Sequence, residues 1–193
     1  MNPVPHDLNA FLRLDGVVAV NDAIRAMADA LTAGSRDPIA RARAVFAWVR
    51  DEIPHTKDIA GEVVTCTAIE AFEHKTGICF PKAHLLAAML RHLGIPTGFC
   101  YQVFPNPADP AGPPALHGLN AIHLSATGRW HRLDPRGNRD GIHAVFSLDP
   151  ESLAFPDMAF LDDCVYAEPL GSVVAGLKTA PNIAALWRAL PSA

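Results

Sequence analysis

The stretch from Gly77 to Pro96 constrains the fold of this chain more than any other. It reads as a turn, a cysteine, and a helix that starts at the cysteine. Pro81 suits the first helical turn, where its missing N–H is not needed. Leu85, Leu86, Met89, Leu90 and Leu93 recur at helical spacing and predict one broad apolar stripe. Gly94 stands where a left-handed C-cap is wanted, and Pro96 forbids continuation. Cys79 is thereby placed at the positive end of a buried helix. Backbone N–H groups and the helix dipole there favour a thiolate and, later in a reaction, an oxyanion.

Upstream of this stretch the pattern is helical. Residues 8–14 fit a short strand or a helical turn equally. Asn21 or Asp22 caps a helix over 23–31 that Gly34 ends. Asp37-Pro38 opens a second helix, with Ile39, Ala42, Val45, Phe46 and Val49 on one face, ending near Ile53-Pro54. Residues 54–58 read as loop, Thr65 or Thr67 caps a short helix over 68–72, and Lys75-Thr76-Gly77 is the turn that delivers Cys79. After Pro96 the residues become aromatic and β-prone. Strands are predicted over 97–104, 117 to about 124 and 129 to about 134, the last two joined by Ser125-Ala126-Thr127-Gly128. Proline-rich residues 105–114 form an irregular surface loop. Residues 142–146 and 163–167 are candidate strands, and 182–190 a closing helix. Helices first and strands after predict an α+β chain, the nucleophile helix packed on an antiparallel sheet.

Composition bounds what such a chain does. Its 193 residues suffice for one domain with a full core, and a single domain over 1–193 is expected. A net charge of −4 with no basic cluster excludes nucleic-acid binding. No run reaches the length of a membrane-spanning helix, and Met1 to Asp7 lack the features of a signal peptide. A cytoplasmic location is expected, where Cys66, Cys79, Cys100 and Cys164, with no CxxC pair among them, stay free thiols. No histidine or cysteine pair has zinc-finger or HExxH spacing, so neither metal nor cofactor is expected. Nothing in the sequence specifies an oligomeric state.

Of the four cysteines, Cys79 alone begins a predicted helix. A cysteine nucleophile needs an imidazole beside it, and the imidazole needs a third group to fix its tautomer. The predicted hairpin supplies both. With its turn near Ala126, Asp134 falls across from His117 or Leu119, on the same sheet face either way. His123 shares that face but lies near the turn, so His117 is preferred. Singly these are a structural cysteine, a surface histidine and an Asp-Pro turn opener; their joint placement is what suggests chemistry.

The chain resembles the transglutaminase-like superfamily of cysteine enzymes, in its small bacterial branch. The resemblance rests on three blocks within about residues 37–138. Gly77-Ile78-Cys79 through Leu93-Gly94-Ile95-Pro96 is similar to the family's nucleophile helix. His117-Gly118-Leu119-Asn120-Ala121 is similar to its histidine strand, although the tryptophan that follows this histidine in many members is missing. Trp130-His131-Arg132-Leu133-Asp134-Pro135 is similar to its Trp-x-x-x-Asp-Pro element, and residues 40–53 to the helix before the core. The resemblance implies a papain-like fold, with Cys79, His117 and Asp134 as the catalytic triad. The calcium sites and extra β-domains of the animal transglutaminases have no room here.

The expected activity is acyl transfer or hydrolysis on a peptide or a small amide or ester, through a thioester on Cys79. The Cys79 backbone N–H is one oxyanion donor; Gln102, Tyr101 and Asn120 are candidates for the second. Lys82 and His84 read as solvated residues, or as cations that favour the thiolate. Residues 105–116 and 136–160 are expected to border the cleft, with Arg136, Arg139 and Asp140 meeting a charged substrate or water. The alternatives are an arylamine N-acetyltransferase-like enzyme and a catalytically silent peptide-binding module.

Overall fold

A computed structural model of the chain describes residues 7–106, 109 and 111–192. The expectation for Met1 to His6, and that for 107, 108 and 110 within the 105–114 loop, lie outside the described residues. The elements are α1 (Asp22–Thr32), α2 (Pro38–Glu52), α3 (Ala68–His74), α4 (Cys79–His92), β1 (Thr97–Phe104), β2 (Ala115–Leu124), β3 (Arg129–Leu133), α5 (Gly171–Thr179) and α6 (Ile183–Arg188). Residues 8–14 resolve to a 3₁₀ turn, Asn9–Leu12, and a second such turn spans Gly16–Val18. The fold is α+β.

Side chains start the first three helices. Asn21 accepts from the Ile24 amide at the head of α1. Asp37 accepts from the amides of Ile39 and Ala40 beneath Pro38, in the first turn of α2. Thr67 and Glu70 form a reciprocal capping box on α3. After α4, Gly94 takes φ +77° and the Ile95 amide returns to the Leu90 carbonyl.

The environment of α4 differs from the single apolar stripe that its leucines predict. Every residue from Cys79 to Arg91 is buried, because α1, α2 and α3 pack against it and β1 and β2 close the remaining side. A helix enclosed on all sides must also bury its polar residues, and those then need partners.

The sheet is antiparallel in the order β1-β2-β3. Gln102 pairs with His117 across β1 and β2, and Asn120 with Leu133 across β2 and β3. Extending the latter register one step sets Asp134 beside Leu119, on the His117 face of the pleat. The candidate strand at 163–167 is instead an irregular segment on the outer edge of β1. Phe99 and Tyr166 exchange both backbone bonds, but the next bridge, Gln102 to Phe160, is out of register with that pair. Between the two bridges Asp162 takes the Cys164 amide and the Tyr166 hydroxyl with its own side chain, a local bonding that competes with a strand ladder. The candidate strand at 142–146 does not form: Ile142 closes a tight turn with Arg139, and residues 143–146 after it are irregular. α5 was not foreseen in the sequence; its glycines and lack of a side-chain cap hide it.

Candidate active site

The Cys79 thiol opens α4 at the floor of a cleft of about 200 Å³ that His117, Phe155 and Trp187 also line. Ile78 provides no side-chain cap, so the Cys79 and Phe80 amides have no intrahelical acceptor and Pro81 has no N–H to satisfy. The backbone just before the cysteine is fixed by residues 54–56. Thr56 donates to the Gly77 carbonyl and Gly77 to that of Pro54, so His55 stands directly across from Gly77.

His117 is 3 % exposed and Asp134 fully buried. The His117 Nε2–H donates to Asp134 Oδ2 at 2.9 Å. The same oxygen accepts from the Ala154 amide, while Oδ1 accepts from the Arg136 amide. Phe155 meets the imidazole edge-on, with centroids 4.9 Å apart. Burial alone lowers the His117 pKa, but the Asp134 carboxylate and the Cys79 sulfur, through charge and hydrogen bonding, push it up to about 10. The imidazole therefore stands protonated beside the sulfur at neutral pH. His123, at the far end of β2, packs on Trp130 and does not line this cleft.

The candidate second oxyanion donors are engaged elsewhere. Gln102 donates to the carbonyls of Phe155 and Met158, Asn120 to those of Ala83 and Gly98. The Tyr101 hydroxyl accepts from the Leu170 amide, and burial pushes its pKa up. None of the three lines the cleft. Their amides and hydroxyl instead tie the sheet to α4 and to the chain after Ala154.

Neither Lys82 nor His84 is solvated. Lys82 is completely buried, and its Nζ donates to the Val49 carbonyl at 2.8 Å, to that of Arg50 at 3.2 Å and, closer still, to that of Ile53. It thus closes the C-terminus of α2, where carbonyls lack helical partners; burial, then Arg136, pull its pKa down to about 7. The His84 ring donates through Nδ1 to the Cys66 carbonyl at 2.6 Å, and burial drops its pKa to about 4. It is therefore neutral and structural. Arg136 is buried at the cleft wall, gripped by Asp58 through both terminal nitrogens. Arg139 lines the cleft half-exposed, whereas Asp140 is exposed and does not.

Sequence reasoning missed two contributors to this cleft. Trp187, on α6, lies tilted against His55 with ring centroids 6.3 Å apart, brought there from the far end of the chain. His55 itself sits in a short polar run between two helices, a context in which most histidines are solvated. Among the described residues no group of three or more histidines, cysteines or acids could hold a metal ion, and no helix is long and apolar enough to cross a membrane.

A comparison with curated proteins returned no match. Among solved structures, the chain is similar to a candidate cysteine protease from Cytophaga hutchinsonii, at 20% identity and TM-score 0.55, over 69% of this chain and 43% of that one. It is also similar to the periplasmic domain of TgpA from Pseudomonas aeruginosa, at 23% identity and TM-score 0.50, over 67% and 47% respectively. The chain thus spans less than half the length of either, and at these identities the likeness is one of fold. The model of the transglutaminase-like superfamily core matches residues 25–135, a range that takes in Cys79, His117 and Asp134. The chain belongs to the transglutaminase-like superfamily.

Proposed function

We propose that the protein is a cysteine acyl-transfer enzyme or hydrolase, acting on an amide or ester through a thioester on Cys79. One observation carries this reading: a buried histidine bonded to a buried aspartate shares one cleft with a cysteine at a helix N-terminus. With Nε2 engaged by Asp134, the Nδ1 edge serves the sulfur. The thiolate attacks the acyl carbonyl, the carbon–sulfur bond forms, and the carbonyl π pair moves to oxygen. Collapse of this intermediate breaks the bond to the leaving group, which takes the His117 proton as it departs. Water or an amine then attacks the thioester and returns a proton to the imidazole. The apolar walls, Ile78, Phe104, Leu116 and Trp187, suit a peptide or a small amide or ester with an apolar acyl side.

The test is release of p-nitrophenol from p-nitrophenyl acetate, and of amine from short peptide amides. Wild type is expected to turn over at least one of them. Cys79→Ala is expected to lose turnover while keeping its far-UV circular dichroism and melting temperature. Full turnover by Cys79→Ala overturns the mechanism.

A further inference from the structure

In acyl transfer each preorganised donor aimed at the oxyanion adds to the rate, and a second donor beside a backbone N–H is worth about 10²–10³-fold. The Cys79 amide is in place, and the expected side-chain donors are engaged elsewhere. We propose that the Nε2–H of His55 is the second donor to the oxyanion formed on the carbonyl that Cys79 attacks, a role that rests on the thioester reading above.

Four observations converge on His55. Its backbone stands across from Gly77, two residues before Cys79, through the bonds from Thr56 to Gly77 and from Gly77 to Pro54. Its side chain is 6 % exposed and lines the same cleft as Cys79 and His117. Its Nδ1 accepts the Lys57 amide proton at 3.3 Å, which makes Nδ1 the unprotonated nitrogen and leaves the proton of the neutral ring on Nε2. That nitrogen has no hydrogen bond to a described residue.

The surroundings keep the ring neutral. Burial and then the Arg136 charge hold the His55 pKa well below the usual histidine value; Lys82 and His117 act in the same direction, and Asp58 opposes them. A neutral donor suits an oxyanion site shared with a protonated His117, because a second imidazolium there would be repelled. The ring also has Trp187 tilted against it and sits on a loop whose preceding carbonyl, that of Ile53, is gripped by Lys82. In the reaction His55 neither gives nor takes a proton. Its N–H bond meets the negative charge as the carbonyl π pair arrives on oxygen and releases it when the thioester carbonyl re-forms.

The experiment separates this role from a structural one by comparing two reactions of the same sulfur. Acetylation by p-nitrophenyl acetate passes through an oxyanion; alkylation by iodoacetamide does not. Two variants divide the ring's functions. His55→Asn keeps an acceptor near the Nδ1 position but has no donor at Nε2; His55→Gln places an amide N–H near Nε2 but loses the acceptor. We expect His55→Asn to lower the acetylation rate constant about 10²-fold or more, with alkylation changed less than about twofold. His55→Gln should recover most of the acetylation rate. Acetylation by His55→Asn at the wild-type rate overturns the proposal, as does parallel loss of acetylation and alkylation in both variants. If wild type shows no Cys79-dependent acetylation at all, the thioester reading itself fails, and the proposal with it.

Discussion

The helix α4 and the irregular segment from Pro135 to Leu170 build opposite walls of one site by opposite means. The helix sets Cys79 through regular backbone bonding and through packing on every side. The segment has no helix or strand among its described residues, yet it fixes the other two groups through single contacts: the Arg136 and Ala154 amides on Asp134, and Phe155 on His117. A helix distributes its positioning over many residues, so one change is absorbed. A segment held by individual bonds concentrates positioning in a few atoms, so one change there should cost chemistry more than stability.

The largest expected effect tests the segment side of that contrast. Asp134→Asn replaces the acceptor for His117 Nε2–H with an amide able to favour the wrong tautomer. Activity should fall about 10³–10⁴-fold, read as kcat/KM on whichever ester or amide the wild type turns over. A loss under tenfold would mean that Asp134 does not orient the imidazole.

The next effect belongs to the helix side. The folded-state pKa of His84 lies at about 4, below its unfolded value of about 6.5. Its contribution to stability is therefore fully present above pH 6.5 and is lost as pH falls towards 4, on the order of 3 kcal/mol in all. Denaturant titrations at several pH values should show this loss. His84→Gln should flatten the profile over that window.

A smaller effect probes how tightly the helix meets the sheet. A Cβ on Gly118 would lie 2.5 Å from the Phe80 ring. Gly118→Ala should therefore destabilise by about 1–3 kcal/mol through overpacking, with a fall in activity as the residue beside Cys79 is displaced. The smallest effect returns to the segment. Phe155→Leu removes the edge contact on His117 and should cost about 1 kcal/mol, while kcat/KM falls several-fold. A stability loss larger than that of Gly118→Ala would reverse the comparison between the two walls.

The same contrast governs what was legible in the sequence. Capping residues and apolar spacing are local, so α1 to α4 and the three strands could be placed to within a few residues. The hairpin register also set His117 and Asp134 on one face, because strand pairing is a counting rule. Where partners come from distant chain positions, local pattern fails. Lys82 and His84 look like solvated residues until α2 and the chain around Cys66 close over them. Gln102 and Asn120 look like available donors until the carbonyls of Phe155 and Ala83 meet them. His55 gains meaning only when Gly77 lies alongside and Trp187 arrives from α6.

The central claim, that Cys79 is the activated sulfur of this fold, is tested most directly by competition among the four cysteines. Burial pushes the thiols of Cys66 and Cys100 up to about 11 and about 12, and Cys164 is only half-buried. Brief treatment of the native protein with limiting iodoacetamide at neutral pH, followed by peptide mass mapping, ranks them in one experiment. The predicted result is alkylation of Cys79 well ahead of the other three in the wild type, and loss of that lead in His117→Phe. Alkylation led by Cys164, or a Cys79 lead that persists without His117, would contradict the account.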